Sequence, residues 1–355
     1  MDIFRLKIGL LWASAIIILT HCQTKPTQST PRYAVKIDSL LNKTDVKAFS
    51  GVVLVAKNDC TAYLKTAGFA DIKSQTPIRE NNQFVIGSIS KQITAVMVLQ
   101  AYERGEVELQ KVIRTYLPKL PQSWADTVTV HHLLTHMHGI VSLDSPLTFK
   151  PGTRFAYSQL GYDILANILE KTSGKTFADL SAALFARCKM TNTYHPDQKG
   201  KTKAGLAKGY TGTTEGKLVF EPNSFRNYVA AGSFISNALD MVRWNQCLHQ
   251  GKLLKPATYE LMTTRYATRQ HPIFGTIEYG YGLTFDKNES KIKIGALGFA
   301  PGYVSANFYF PQSQMSVIIL QNTANYLPDF RKTFFYQVQI LDIIREYLKN
   351  NIPNS

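Results

Sequence analysis

Ser88-Ile89-Ser90-Lys91 sets a hydroxyl and an amine three residues apart. On a helix, positions i and i+3 share a face, so the Lys91 amine can reach the Ser88 oxygen. A serine hydroxyl is a weak nucleophile until a base takes its proton. Lysine becomes that base where burial or a neighbouring cation lowers its pKa, and Val85, Ile86, Ile89 and Ile93 supply an apolar setting. Gly87-Ser88 falls at a strand-to-helix junction, where the free N–H groups of a first helical turn favour developing negative charge. The same spacing recurs at Ser290-Lys291-Ile292-Lys293, but those residues alternate as a strand does and no helix aligns them.

Histidines form the rival signal. His131, His132, His136 and His138 crowd one short stretch, and His132 and His136 have the i, i+4 spacing of helical metal ligands. The glutamate of an HExxH motif is missing, since Leu133 follows His132, so no metal is expected. No GxSxG elbow surrounds any serine, which argues against an α/β-hydrolase. No glycine-rich phosphate loop or dinucleotide fingerprint occurs, so no cofactor is expected.

These residues need a scaffold, and the hydrophobic period outlines one. Residues 33–43 carry Ile37, Leu40 and Leu41 at helical spacing. Residues 49–57 and 61–69 are β-branched and aromatic-rich around Asn58-Asp59, a strand–turn–strand signature. From Ser88 the period becomes helical and buried, ending near Gly105, and further helices are expected at 131–136, 160–172, 177–185 and 238–250. Strands return at 281–285, 291–296, 303–310 and 315–321, before a closing amphipathic helix at 329–348. The expected fold class is α+β: one antiparallel sheet built from both ends of the chain, helices on its faces, and a helical insert beside it. A site would lie between sheet and insert.

Composition agrees with a packed enzyme-sized body. Of 355 residues 45% are apolar and 18% charged, which excludes a disordered chain. The net charge of +15 invites a nucleic-acid reading. The densest basic stretches, Lys199, Lys201, Lys203 and Lys287, Lys291, Lys293, belong to no basic helix or aromatic ladder, so no nucleic acid is expected. Arg5 and Lys7 precede a short apolar run from Ile8 to Leu19, then Cys22. That run falls short of the ~20 residues that span a bilayer and reads as a secretory signal over 1–22. Cys22 is either a lipidation cysteine, which would attach the chain to a membrane, or an ordinary cysteine beside a signal-peptidase site. The expected location is exported, periplasmic or envelope-anchored. Residues 23–45 form a polar tether and short helix, 46–349 the main domain, and 350–355 a tail.

Three stretches beyond the serine carry a resemblance. They are Phe84 through Ala95 (FVIGSISKQITA), His132 through Ile140 (HLLTHMHGI) and Lys150 through Tyr162 (KPGTRFAYSQLGY). With Ala231 through Asp240, Gly251-Lys-Leu-Leu and Pro301-Gly-Tyr-Val-Ser, they resemble the serine β-lactamase and penicillin-binding-protein superfamily over about residues 46–325. The similar branch holds class C β-lactamases, D-amino-acid peptidases and esterases. The resemblance implies Ser88 as nucleophile, Lys91 as its proton partner and Tyr157 as the group that passes protons to the leaving group. It also implies an oxyanion hole from the backbone N–H groups of Ser88 and Phe299.

Two positions depart from the family pattern. Gln159 stands where asparagine is usual in the tyrosine motif, and Ala296-Leu297-Gly298 stands where a lysine or histidine opens the final motif. Gly298 would let substrate backbone lie against that strand. Without a cation at Ala296, a substrate carboxylate loses a charge-assisted partner worth about 1.5–3 kcal/mol. The expectation is an exported serine hydrolase acting on a small ester, amide or peptide. Esterase or D-amino-acid peptidase action is favoured over β-lactamase action; a non-catalytic envelope binding protein of the same fold is the other reading.

Overall fold

The computed structural model describes residues 31–43, 47–58, 60–222, 227–286, 293–325 and 329–351. The signal segment, Cys22, most of the tether and the Ser290-Lys291 pair lie outside the described residues. An eight-stranded antiparallel sheet carries the fold. Its strands in chain order are β1 (Gly51–Lys57), β2 (Cys60–Ala67), β3 (Ala267–His271), β4 (Gly275–Tyr279), β5 (Thr284–Asp286), β6 (Ile294–Ala300), β7 (Tyr303–Phe310) and β8 (Met315–Gln321). Their spatial order is β2-β1-β8-β7-β6-β5-β4-β3. β1 pairs with β8 from Gly51 opposite Gln321 to Lys57 opposite Met315, so the sheet's first and last strands in chain order lie side by side next to its β2 edge.

Both faces of the central strands are covered, which is why β1 and β8 read as nearly unbroken apolar runs. Val52, Leu54, Ile318 and Leu320 face the larger core, built on the helical insert. Val53, Val55, Val317 and Ile319 face a second core, formed with the terminal helices α1 (Arg32–Leu41) and α8 (Phe335–Asn351). Burying each such side chain contributes about 1.5–3 kcal/mol. A Lys36–Glu346 ion pair at 2.7 Å joins the two terminal helices.

Against the larger core lies α2 (Ser90–Glu103), apolar almost all round and buried from Ser90 through Leu99. α3 (Val130–Leu134), α4 (Leu160–Ser173), α5 (Phe177–Arg187), the short α6 (Val229–Gly232) and α7 (Ala238–His249) complete the insert. The expected antiparallel sheet with flanking helices is what the structure shows. Three local expectations change. The helix expected at 131–136 ends at Leu134, because His136 adopts φ +59°. The closing helix is broken at Phe334 into Phe330–Thr333 and α8. The β3–β4 hairpin was not expected at all: Ala-Thr-Arg-Gln-His is a polar edge strand with little apolar alternation to betray it.

Candidate active site

The Ser88 turn is built by a tight approach of backbones. Gly87 has φ +57°, and a Cβ there would sit 2.7 Å from the carbonyl carbon and 2.8 Å from the Cα of Gly298 on β6. Only glycine combines that conformation with that proximity. Gly298 reciprocates: the carbonyl oxygen of Ile86 and the Ser305 hydroxyl fill the space a Cβ would need. Ser305 Oγ donates to Ile86 O at 2.8 Å and pins the turn to the sheet. The small residue expected at 298 to admit substrate is therefore required by the protein's own turn, and Gly298 does not line the cleft.

β6 pairs with β5 only at Ile294 and Gly295, whereas its pairing with β7 runs on to Ala300. Along Ala296–Ala300 the β5 side of β6 is left to the Ser88 turn and the cleft. This places the main chain of Phe299 beside that of Gly87, the residue before Ser88.

Ser88 itself is half-buried at the head of a short 3₁₀ turn, Gly87–Ile89, that runs into α2. One helical turn on, Lys91 is 1% exposed. Its Nζ donates to Gln159 Oε1 at 2.5 Å and to the Ala231 carbonyl at 2.7 Å, and lies 3.4 Å from Ser88 Oγ. Thr94 Oγ1 donates to the adjacent Ala230 carbonyl at 2.6 Å, so α2 and α6 are stitched together beneath the amine. Burial pushes the Lys91 pKa down, with Tyr157 and Asp163 acting in the opposite sense.

Counting donors clarifies the chemistry. A neutral lysine amine has two N–H bonds and one lone pair. Two carbonyl oxygens take the two N–H bonds, and the lone pair is left for the Ser88 hydroxyl. The same three partners would accept all three hydrogens of an ammonium, so the site accommodates the amine before and after it takes a proton. The Gln159 departure is absorbed in this arrangement, since its longer side chain brings the amide oxygen directly onto Lys91.

Tyr157 reaches the site from the segment before α4. Lys91 Nζ lies 4.7 Å from its ring centroid, and the ring is 40% exposed toward the cleft. Hydroxyl, amine and phenol thus converge in one place from distant parts of the chain. His136 backs the phenol: its ring centroid is 4.5 Å from that of Tyr157. Its Nδ1 accepts the Ser158 N–H at 3.2 Å, so Nε2 carries the hydrogen and donates to the Tyr279 hydroxyl at 3.1 Å. Burial and the nearby Lys91 hold its pKa well below the usual imidazole value.

His132 is engaged elsewhere, its Nδ1 accepting the Thr129 N–H in a capping box at the start of α3. The i, i+4 pairing of these histidines is undone by the helix end between them. Among the described residues, no group of three or more His, Cys, Asp or Glu side chains is placed to hold a metal.

The cleft has a volume of about 370 Å³. Ser88, Tyr157, Gln159 and Ala296 border it, and so do four side chains that sequence reasoning passed over: Arg269, His271, Phe274 and Thr284. His271 is pushed down to about 3 by burial, with Arg269 and Lys293 adding to the effect. Asp163, one turn into α4, is pushed up to about 6 by burial, with Lys91 working against the shift.

Comparison with known proteins fits this geometry. The family model described as Beta-lactamase matches residues 39–342. The chain belongs to the beta-lactamase family. As a member of that family it is a hydrolase of the β-lactamase fold. Penicillin-binding protein 4* of Bacillus subtilis (strain 168) is 25% identical to this family member over 313 residues, covering 77% of this chain and 68% of the relative. A Teichoic acid D-alanine hydrolase of Staphylococcus aureus (strain MRSA252) is 23% identical over 341 residues, covering 91% and 79%. Among solved structures, D-amino acid amidase from Ochrobactrum anthropi SV3 complexed with D-Phenylalanine superposes with a TM-score of 0.78 at 21% identity, covering 90% of this chain and 99% of that one. That likeness is one of fold.

Proposed function

We propose that this beta-lactamase family member is a serine hydrolase that cleaves an ester or amide through an acyl-enzyme on Ser88. The observation that carries the reading is the Lys91 amine, buried and held by two carbonyls with its third position toward Ser88 Oγ. Ser88 Oγ attacks the substrate carbonyl carbon while its proton passes to Lys91 Nζ. The carbonyl oxygen becomes an oxyanion that the N–H groups of Ser88 and Phe299 stabilise. As the tetrahedral intermediate collapses, the C–O or C–N bond breaks and the leaving group takes a proton through Tyr157. Water then adds to the acyl carbon, giving its proton to the same base, and the acid is released as the Ser88 hydroxyl re-forms.

Ala296 leaves β6 without the cation that would meet a carboxylate at that strand. Esterase or D-amino-acid peptidase action is therefore favoured over β-lactamase action, and the names of the teichoic acid D-alanine hydrolase and the D-amino acid amidase support this choice. The reading includes export and membrane attachment through Cys22, which rest on the N-terminal sequence alone.

A fluorophosphonate probe tests the proposal. Labelling should vanish in Ser88→Ala and persist in Ser290→Ala. Absence of labelling on the parent protein would instead favour a binding protein of the same fold. Hydrolysis of a panel of short esters, D-alanyl peptides and a chromogenic cephalosporin ranks the substrate classes.

A further inference from the structure

The helical insert holds two thiols that the proposed chemistry does not use. Cys188 caps the C-terminal end of α5, and Cys247 lies in the last turn of α7. Both are buried in the larger core, at 3% and 8% exposure, and neither forms a disulfide. Their side chains are hydrogen-bonded to each other. The backbone fixes both ends of this contact. The Cys188 N–H donates to the Leu184 and Phe185 carbonyls at 3.3 and 3.1 Å, and the chain then turns through Lys189 at φ +55°. It runs on to Asn192 and Thr193, whose N–H and hydroxyl donate to Asp240 Oδ2 at 2.8 and 2.9 Å. Asp240 and Cys247 stand at i and i+7 of α7, so they share one face of that helix. That face meets the segment following α5 first at an anchored carboxylate and again at a thiol opposite a thiol.

The surroundings favour reaction at Cys247. The Cys188 hydrogen bond lowers its pKa, Lys252 and Arg187 add to that effect, and burial opposes it. Cys188 is driven upward by the same bond and by burial, so its S–H is the donor and the Cys247 sulfur the acceptor. A thiolate is the attacking species in disulfide exchange. Among the described residues, no third His, Cys, Asp or Glu side chain joins the pair to hold a metal.

The geometry points to Cys188 and Cys247 as a reversible redox lock, a disulfide that ties the end of α5 to α7 when the protein meets a disulfide oxidant. The Cys247 thiolate attacks one sulfur of a small disulfide such as oxidised glutathione, breaking its S–S bond and releasing one thiolate. Cys188 then gives up its proton and attacks the Cys247 sulfur of the mixed disulfide, expelling the second thiolate. Two protein thiols are oxidised, one small disulfide is reduced, and the two thiol protons pass to the released thiolates. The backbone need move little, because the sulfurs are already in hydrogen-bond contact. The crosslink closes a loop of about 60 residues and so removes freedom from the unfolded chain. It also braces the support of the candidate site: Trp244, one turn before Cys247, donates to Gln92 Oε1 at 3.1 Å, beside Lys91 on α2. The lock requires neither the Ser88 chemistry nor export.

Peptide mapping and melting of the whole protein test this. Protein kept in reductant, then equilibrated with oxidised glutathione and alkylated without reduction, should yield a tryptic species joining residues 188–189 to 244–252. Its Tm should exceed that of the reduced form by about 5 °C or more, and reductant should reverse the gain. Cys247→Ala should lose at least half of that gain. Recovery of both cysteines alkylated after oxidation would overturn the inference, as would Cys247 carrying glutathione while Cys188 is alkylated. A crosslinked protein that melts no higher than the reduced one would refute the lock, and so would a smaller loss of the gain in Cys247→Ala. The map uses the parent protein and needs no variant to fold. Neither readout needs turnover, so both stand whether or not Ser88 acts as a nucleophile.

Discussion

Lys91→Met separates catalysis from architecture more cleanly than any other change in the site. Methionine is unbranched and fills the channel the lysine stem occupies, so packing around α2 is kept. What disappears is the donor to two carbonyl oxygens. Gln159 borders the cleft, so water can replace the amine there, whereas Ala231 is fully buried and its carbonyl loses a partner at a cost of about 1–3 kcal/mol. Removing a desolvated amine works in the other direction, so the net change in stability should stay within about 2 kcal/mol, a Tm shift of only a few degrees. Loss of the base should reduce turnover by about 10²–10⁴-fold, equal to about 2.7–5.4 kcal/mol of barrier. Steady-state hydrolysis of a short chromogenic ester, with a thermal melt of the same sample, reads both quantities. A kcat/KM within tenfold of the parent, in protein that melts normally, would show that Lys91 does not take the Ser88 proton.

Tyr157→Phe keeps the ring beside Lys91 and His136 but removes the hydroxyl, and should lower kcat by about 10²-fold or more; undiminished turnover of an ester with a poor leaving group would show the proton travels another way. Gly87→Ala forces a side chain into φ +57° against the Gly298 backbone. It should cost at least the roughly 1–2 kcal/mol of the left-handed conformation and abolish fluorophosphonate labelling, and an unshifted melt with normal labelling would contradict the close approach described. Asp163 has a folded pKa raised to about 6, so its contribution to stability is full below the ordinary carboxylate range and is lost as pH rises through about 6. The Asp163→Asn variant should therefore gain Tm relative to the parent between pH 4 and pH 8, and a difference that stays constant across that range would remove the burial argument.

Elements with a strong period were legible in the sequence. The α2 helix, the β1 strand and the β7–β8 pair are dense in apolar residues because both sides of each are covered, and their burial follows. Ser88 and Lys91 were legible because a helix fixes their offset. Tyr157 and Gln159 were reached through motif resemblance, since nothing local in Ala-Tyr-Ser-Gln announces a proton path. Arg269 and His271 left no trace: they sit on an edge strand where polar residues are ordinary, and only tertiary placement brings both to the cleft. Gly298 was noticed for its size, but the reason for that size, the Ile86 carbonyl behind it, is a long-range contact invisible along the chain.

The bond from Ser305 to Ile86 spans 219 residues, and its separation in sequence has a bearing on how the molecule comes into being. A nascent chain that has just displayed the Ser88 hydroxyl still lacks β6, β7 and β8, and β1 has no neighbour on its inner flank. Loops of this length close slowly, because their entropy is spent before any distant contact rewards it. Reactivity at residue 88 should thus emerge late and all at once, when the final strands dock, which makes the onset of labelling during refolding a clock for completion of the whole sheet.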